Sequence, residues 1–264
     1  MGAAYLERAL DRAGLLEPTS RAYNSVLRYR NGATLATEVG GLTARFYTES
    51  APEYAHVRNF WMDDLGGERA VLERFLADLV PEDVVYDVGA NVGTYTCFAQ
   101  QVVTEGQVHA FEPHPENAAR LADNVRETGD RGVTRIHRVA VSSDSGRISL
   151  AVGGGVVGKG THNVLDNGES SIPVEAERLD TCIEEHGLRR PDVLKIDVEG
   201  AEDRVLEGAE ETLEGARLVY VEVHPQHGVS LNGVESRLED AGFAIEPMEV
   251  RGSQPFLRAS RSGE

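Results

Sequence analysis

Residues 84–93 read VVYDVGANVG, a β-branched run that breaks into a glycine-spaced turn, and the fold follows from how that break is read. Val84 to Val88 favour a strand. Gly89 and Gly93 let the backbone turn sharply and come close to a ligand, and TYTCFAQQVV (94–103) reads as a helix whose first N–H groups are left unpaired. The spacing is G-x-x-x-G behind an acid, not the G-x-G-x-x-G that seats a pyrophosphate. Asp87 would repel a pyrophosphate, yet it suits the ammonium of an amino-acid moiety, directly or through water. The loop formed by Asp87, Gly89, Asn91 and Gly93 is therefore a candidate pocket for a nucleoside-like ligand without phosphate.

Outward from this turn, short β-branched runs alternate with helical patterns, the mark of a parallel sheet with crossover helices. QVHAFEP (107–113) is the second strand. PENAARLADNVRET (115–128) follows as a helix with Pro115 at its start and Ala118, Leu121, Ala122 and Val125 on its core face. VTRIHRVAVS (133–142) reads as the third strand, DVLKIDV (192–198) as the fourth and RLVYVEV (217–223) as the fifth, with helix EDRVLEGAEETLE (202–214) between the last two. RISLAV and SIPVEAERL form an inserted β excursion around the Gly-rich GGGVVGKGTHN (153–163), expected as a loop near the site or a mobile one. After helix GVESRLEDAG come FAIEPMEV, a Gly252–Ser253 turn and PFLRAS, which predict a closing hairpin. An antiparallel last strand slotted into an otherwise parallel seven-stranded sheet is how class I methyltransferases end, whereas a dinucleotide dehydrogenase continues with parallel crossovers. The expected architecture is thus α/β and Rossmann-like. Residues 66–264 form its ligand-binding domain, and residues 1–65 form an α/β extension that caps the acceptor side. The first eighty residues hold nine of the sixteen aromatics, Tyr5, Tyr23, Tyr29, Phe46, Tyr47, Tyr54, Phe60, Trp61 and Phe75, which are expected mostly in the core.

Forty-four acids against twenty-six bases leave a net charge of −18 over 264 residues, which argues against a nucleic-acid surface. Acid excess with only two lysines, Lys159 and Lys195, is the bias expected of a protein working in concentrated salt. No apolar run is long enough to span a membrane, and the N-terminus lacks a signal-peptide pattern, so the expected address is the cytoplasm. Cys97 and Cys182 have no Cys or His in metal-ligand spacing and read as small core residues.

Glu112 ends the second strand 25 positions after Asp87, where a carboxylate can accept both hydroxyls of a ribose. Ribose, ammonium and no phosphate together describe S-adenosylmethionine. The stretches YDVGANVGTYT, VHAFEPHPENAARLADN, VAVSSDSG, RLDTCIEEH, VLKIDVEGAEDRVLEGAEETL and VYVEVHP resemble the successive motifs of the FkbM-type methyltransferase family, over about residues 66–226. That resemblance implies a Rossmann-like methyltransferase fold, S-adenosylmethionine as cofactor, and a hydroxyl acceptor on a sugar, glycan or other small metabolite. It also implies that Asp87, Gly89, Asn91 and Gly93 form the cofactor loop, that Glu112 holds the ribose, and that Ser142, or alternatively Asp144, lies on the adenine side.

Two further groups carry candidate chemistry. Alternation along the fourth strand puts Lys195, Asp197 and Glu199 on one side, aimed at the strand end where open α/β sheets bind ligands. A buried Lys195 needs a partner, and Asp197 is the near one. Glu222 and His224, two apart, end the fifth strand. Oxygen methylation needs the acceptor hydroxyl aligned and its proton removed, and His224 has the ordinary pKa to take it. Glu222 would orient His224 or hold the acceptor. Asp197, Glu199, Glu222 and His224 would also suit a divalent cation, although the set serves without one. Glu202 is placed outside this line at the next helix N-terminus, and His114 and His227 are placed on loops. Nitrogen methylation and a non-catalytic cofactor-binding role stay open.

Overall fold

The structure, a computed structural model, describes residues 16–58, 65–151, 157, 171–248 and 254–261. Tyr5, Phe60, Trp61, the Gly252–Ser253 turn and all of the Gly-rich 153–163 stretch except Val157 lie outside the described residues. Strand β3 (Val84–Val88) is buried at every position, because its neighbours cover both edges and helices cover both faces. Parallel to it run β4 (Gln107–Phe111) and β5 (Thr134–His137) on one side, and β9 (Val193–Ile196) and β10 (Leu218–Glu222) on the other. The closing hairpin is β11 (Phe243–Met248) and β12 (Phe256–Arg261), with β12 inserted antiparallel between β10 and β11. The sheet order β11-β12-β10-β9-β3-β4-β5 is the seven-stranded arrangement expected.

Of the crossover helices, α4 (Thr94–Val102) and α5 (Pro115–Thr128) cover one face of the sheet. Pro115 opens α5 and Gly129 closes it at φ 101°, a conformation that favours glycine. The other face is covered by α6 (Leu179–His186), α7 (Glu202–Glu207), α8 (Glu210–Gly215) and α9 (Leu231–Asp240). The helix predicted over 202–214 is two helices. Gly208 separates them, and there the chain passes so close to Ser142 that a Cβ on Gly208 would lie 2.0 Å from the Ser142 carbonyl oxygen.

The third strand also differs from the expectation. It stops at His137, and the chain leaves the main sheet to form β6 (Ala140–Val141), which pairs with β8 (Ser171–Glu177). With β7 (Gly146–Ala151) these make a separate three-stranded sheet, the inserted β excursion. The N-terminal part contains α1 (Leu16–Asn31), the hairpin β1 (Thr34–Val39) and β2 (Leu42–Tyr47), α2 (Ala51–His56) and, leading into the sheet, α3 (Arg69–Asp78). The hairpin is stitched to α5 by Tyr47 N–H donating to Asn124 (2.7 Å) and Arg45 N–H donating to Thr128 (2.9 Å). Val39, Ala44 and Phe46 share one core with Phe75, Phe98 and Leu121, so this hairpin has no core of its own. Phe46, Tyr54 and Phe75 are buried as expected of aromatics, whereas Tyr23 and Tyr29 are exposed.

Candidate active site

At the C-terminal end of β3 the chain must turn under β9. Gly89 sits at φ 78°, and a Cβ there would fall 1.8 Å from the Asp197 carbonyl oxygen, so only glycine fits. Gly93, at φ 93°, is similarly closed in by Leu121. The turn brings the Asn91 N–H to Glu112 Oε2 (2.9 Å), while the His114 N–H donates to Oε1 (2.8 Å). Burial nonetheless pushes the Glu112 carboxyl up to about 7 against these two donors. Gly89, Asn91 and Glu112 line a cleft that Asp197 and Glu199 also line. Its apolar wall includes Phe111, Val139, Val141 and Leu150, the last from the inserted sheet.

Three residues expected at the cofactor do not line this cleft: Asp87, Gly93 and Ser142. Ser142 is buried, with its backbone N–H paired to the Glu177 carbonyl, because the chain has already turned away into β6. The alternative, Asp144, is bonded to the Ser143 hydroxyl on the surface.

Asp87 is 1% exposed and lies directly across from Lys195 in the β3–β9 register. Lys195 Nζ is 3.1 Å from Asp87 Oδ1 and 3.4 Å from Asp197 Oδ2, donates to the Gly89 carbonyl (3.2 Å), and sits 4.9 Å over the Tyr95 ring. The other Asp87 oxygen accepts from the Thr96 hydroxyl (2.6 Å) and N–H (3.1 Å). Burial alone would discharge the 2%-exposed Lys195, but Asp87 and Asp197 outweigh it and hold the ammonium above the usual lysine range. The lysine braces the Gly89 turn against the fourth strand. Glu68 joins the same network by accepting from the Tyr95 hydroxyl (3.0 Å), and burial with Asp197 nearby raises its carboxyl. Sequence reasoning missed Glu68, whose one signal is an acid at the start of α3.

The polar line expected along the fourth strand is built differently. β9 ends at Ile196, and Glu199 adopts φ 51°, so its carboxylate reaches the site through a turn and not through strand alternation. His224, 1% exposed, meets Glu202 Oε1 through Nδ1 at 2.5 Å. Its Nε2 lies 3.5 Å from Glu199 Oε2 and 3.9 Å from Asp197 Oδ1. Glu202 is wholly buried and also accepts from the Gly200 N–H (3.1 Å), which corrects the expectation that it stands outside. Burial works against the His224 imidazolium, but the bond to Glu202 and the charges of Asp197 and Glu199 prevail and raise it to about 9. Burial and Asp197 likewise push Glu199 to about 7 and raise Glu222 well above the carboxylate range. His227, expected on a loop, sits in the turn after β10 with Nε2 3.8 Å from Glu199. Asp197, Glu199 and His224 each offer a ligand atom within 4.8 Å of the others. A second such group, Glu177, Cys182 and His186, lies away from the cleft; His186 is one helical turn beyond Cys182, so Cys182 does have a histidine in ligand spacing. Cys182 and Cys97 are both buried free thiols.

With this geometry in view, comparison with known proteins is specific. The model of the methyltransferase FkbM domain matches residues 87–245. Hexuronic acid methyltransferase AglP of Haloferax volcanii is 33% identical over 232 residues, covering 87% of this chain and 90% of its own length. The 31-O-demethyl-FK506 methyltransferase FkbM of Streptomyces tacrolimicus is 31% identical over 250 residues, covering 83% of this chain and 88% of its own. Among solved structures, methyltransferase FkbM from Methylobacillus flagellatus matches with a TM-score of 0.53 at 15% identity, over 71% of this chain and 46% of that one, a likeness of fold.

Proposed function

Since the chain belongs to the FkbM methyltransferase family and is therefore an S-adenosylmethionine-dependent methyltransferase, we propose that it methylates a hydroxyl oxygen on a sugar, glycan or related small metabolite. The observation that carries this reading is one cleft that Glu112, Asp197 and Glu199 line together. The residues present suit the cofactor. Glu112 keeps lone pairs for the ribose hydroxyls, the Cβ-free Gly89 turn admits close approach, and the apolar wall of Val139, Val141 and Leu150 suits an adenine. Asp197 takes the part expected of Asp87, because it is the carboxylate partner of Lys195 that faces the cleft. Bound there, S-adenosylmethionine supplies an electrophilic methyl on a positively charged sulfur. The chain's own residues align the acceptor hydroxyl beside Asp197 and Glu199, whose negative charges favour departure of its proton to solvent. The oxygen acceptor is supported by relatives named for it, including the 2-O-methyltransferase NoeI of Sinorhizobium fredii, 30% identical over 161 residues.

Calorimetry in concentrated salt with S-adenosylmethionine and S-adenosylhomocysteine, followed by transfer of labelled methyl to hydroxyl-bearing and amine-bearing sugars, tests the proposal. Binding of both cofactor forms and an ether-linked label are expected. No cofactor binding would remove the whole reading, and label only on nitrogen would remove the oxygen acceptor.

A second expectation concerns pH. Only the ionised Glu112 accepts two ribose hydroxyls, so protons compete with the cofactor below about 7. Wild-type affinity should fall between pH 8 and pH 6, approaching roughly tenfold per unit at the acid end, by simple proton competition. Glu112→Gln should bind weakly at both pH values and lose this difference. An identical pH dependence in the two proteins would show that Glu112 does not hold the ribose.

A further inference from the structure

Three side chains converge beside the cleft, two of which, Asp197 and Glu199, line it. His224 Nε2, Asp197 Oδ1 and Glu199 Oε2 lie within 4.8 Å of one another, and the two oxygens are 3.9 and 3.5 Å from the nitrogen. Ligands about 2.1–2.2 Å from one ion stand roughly 3–4 Å apart, so the three atoms could share a single ion with little movement. The histidine is also set for ligation. Glu202 holds Nδ1 at 2.5 Å, which fixes the ring and leaves Nε2 turned to the two carboxylates, the carboxylate–histidine pattern that supports metal ligands.

An independent observation points the same way. Glu222 is 9% exposed, and among the described residues its carboxylate has no hydrogen bond or ion pair. Glu222 follows Val221, the register partner of Ile196, so it stands at the strand end beside Asp197 and two positions before His224. A buried carboxylate without a partner is costly. Lys195 does not offset the excess: it is already shared between Asp87 and Asp197.

We propose that Asp197, Glu199 and His224 hold a divalent cation of the Mg²⁺ or Mn²⁺ kind, which polarises the acceptor hydroxyl. Two oxygens and one imidazole suit these ions, and the remaining positions stay open to water and to the acceptor. The catalytic role rests on the methyl-transfer reading above; the binding site does not. In the step, the O–H bond breaks and its proton passes through water to solvent. The oxygen keeps the electron pair and forms the O–CH₃ bond as the S–CH₃ bond breaks, leaving a methyl ether and neutral S-adenosylhomocysteine.

The test is titration of EDTA-treated, dialysed full-length protein with Mn²⁺, followed by loss of the free-ion electron paramagnetic resonance signal. One saturable site, displaced by Mg²⁺, is expected. His224→Gln and Glu199→Gln should each weaken it at least tenfold, and His224→Gln should keep its calorimetric affinity for S-adenosylmethionine, which also shows that it is folded. No saturable Mn²⁺ site, or one that both substitutions leave unchanged, overturns the proposal. Methyl transfer that survives EDTA overturns the catalytic role alone. Loss of cofactor binding in the wild-type protein would sink the methyl-transfer reading and leave the Mn²⁺ result standing by itself.

Discussion

Lys195→Met should lower the free energy of unfolding by about 3–5 kcal/mol, the usual result of removing one member of a buried ion pair. The loss is not that of a favourable contact alone. Methionine fills the lysine's apolar stem, but it leaves Asp87, 1% exposed, with Thr96 as its one remaining support. An uncompensated buried charge is what costs. For a chain of this size the melting temperature should fall by roughly 10 °C. Urea unfolding at constant high salt measures the change without altering ionic strength. Adding Asp87→Asn to Lys195→Met should recover a large part of the loss, because the second substitution removes the stranded charge. If Lys195→Met costs less than about 1 kcal/mol, or the double variant is additive, the pair does not brace the turn. Since Lys195 also holds the Gly89 carbonyl, the single variant should bind the cofactor less tightly even where it is folded.

The parts of this arrangement that were legible in the sequence are those that local chemistry dictates. VVYDVGANVG shows a strand and a tight turn because valines and spaced glycines each constrain their own backbone, and FAIEPMEV with PFLRAS shows the closing hairpin for the same reason. The place of Glu112 in the cleft was legible because it depends on a strand end and a fixed spacing. What escaped the reading depends on register between distant strands. Asp197 is the partner of Lys195 that sequence spacing suggests, whereas Asp87 becomes the closer one only once β3 and β9 pair with these two residues side by side. Glu202 looked like an ordinary acid at a helix start, since nothing local says that the end of β10 will bury His224 against it. Ser142 was misplaced because VTRIHRVAVS has unbroken β character, while the chain actually changes sheets between His137 and Ala140. The reading of Glu199 failed on geometry: alternation holds only while the strand lasts, and β9 stops at Ile196.

His224→Ala and Glu202→Ala should both depress turnover while leaving cofactor affinity near wild type, since neither residue lines the cleft proposed for the cofactor. For His224, whose Nε2 faces Asp197 and Glu199, the expected loss is about 10²–10⁴-fold in kcat, the range for a group that handles a proton or directly supports one that does. Glu202 touches neither cleft nor acceptor, and it acts by holding Nδ1. Its loss should cost about 10–100-fold, as for carboxylates that orient a functional histidine. The double variant discriminates. If Glu202 works through His224, removing it after His224 is gone should change kcat little, so the double variant should resemble His224→Ala. Glu202→Gln, which keeps an oxygen to accept from Nδ1, should recover part of the activity lost in Glu202→Ala. Multiplied losses in the double variant, or a glutamine no better than alanine, would mean that Glu202 supports the fold at the start of α7 and that His224 finds its position without it.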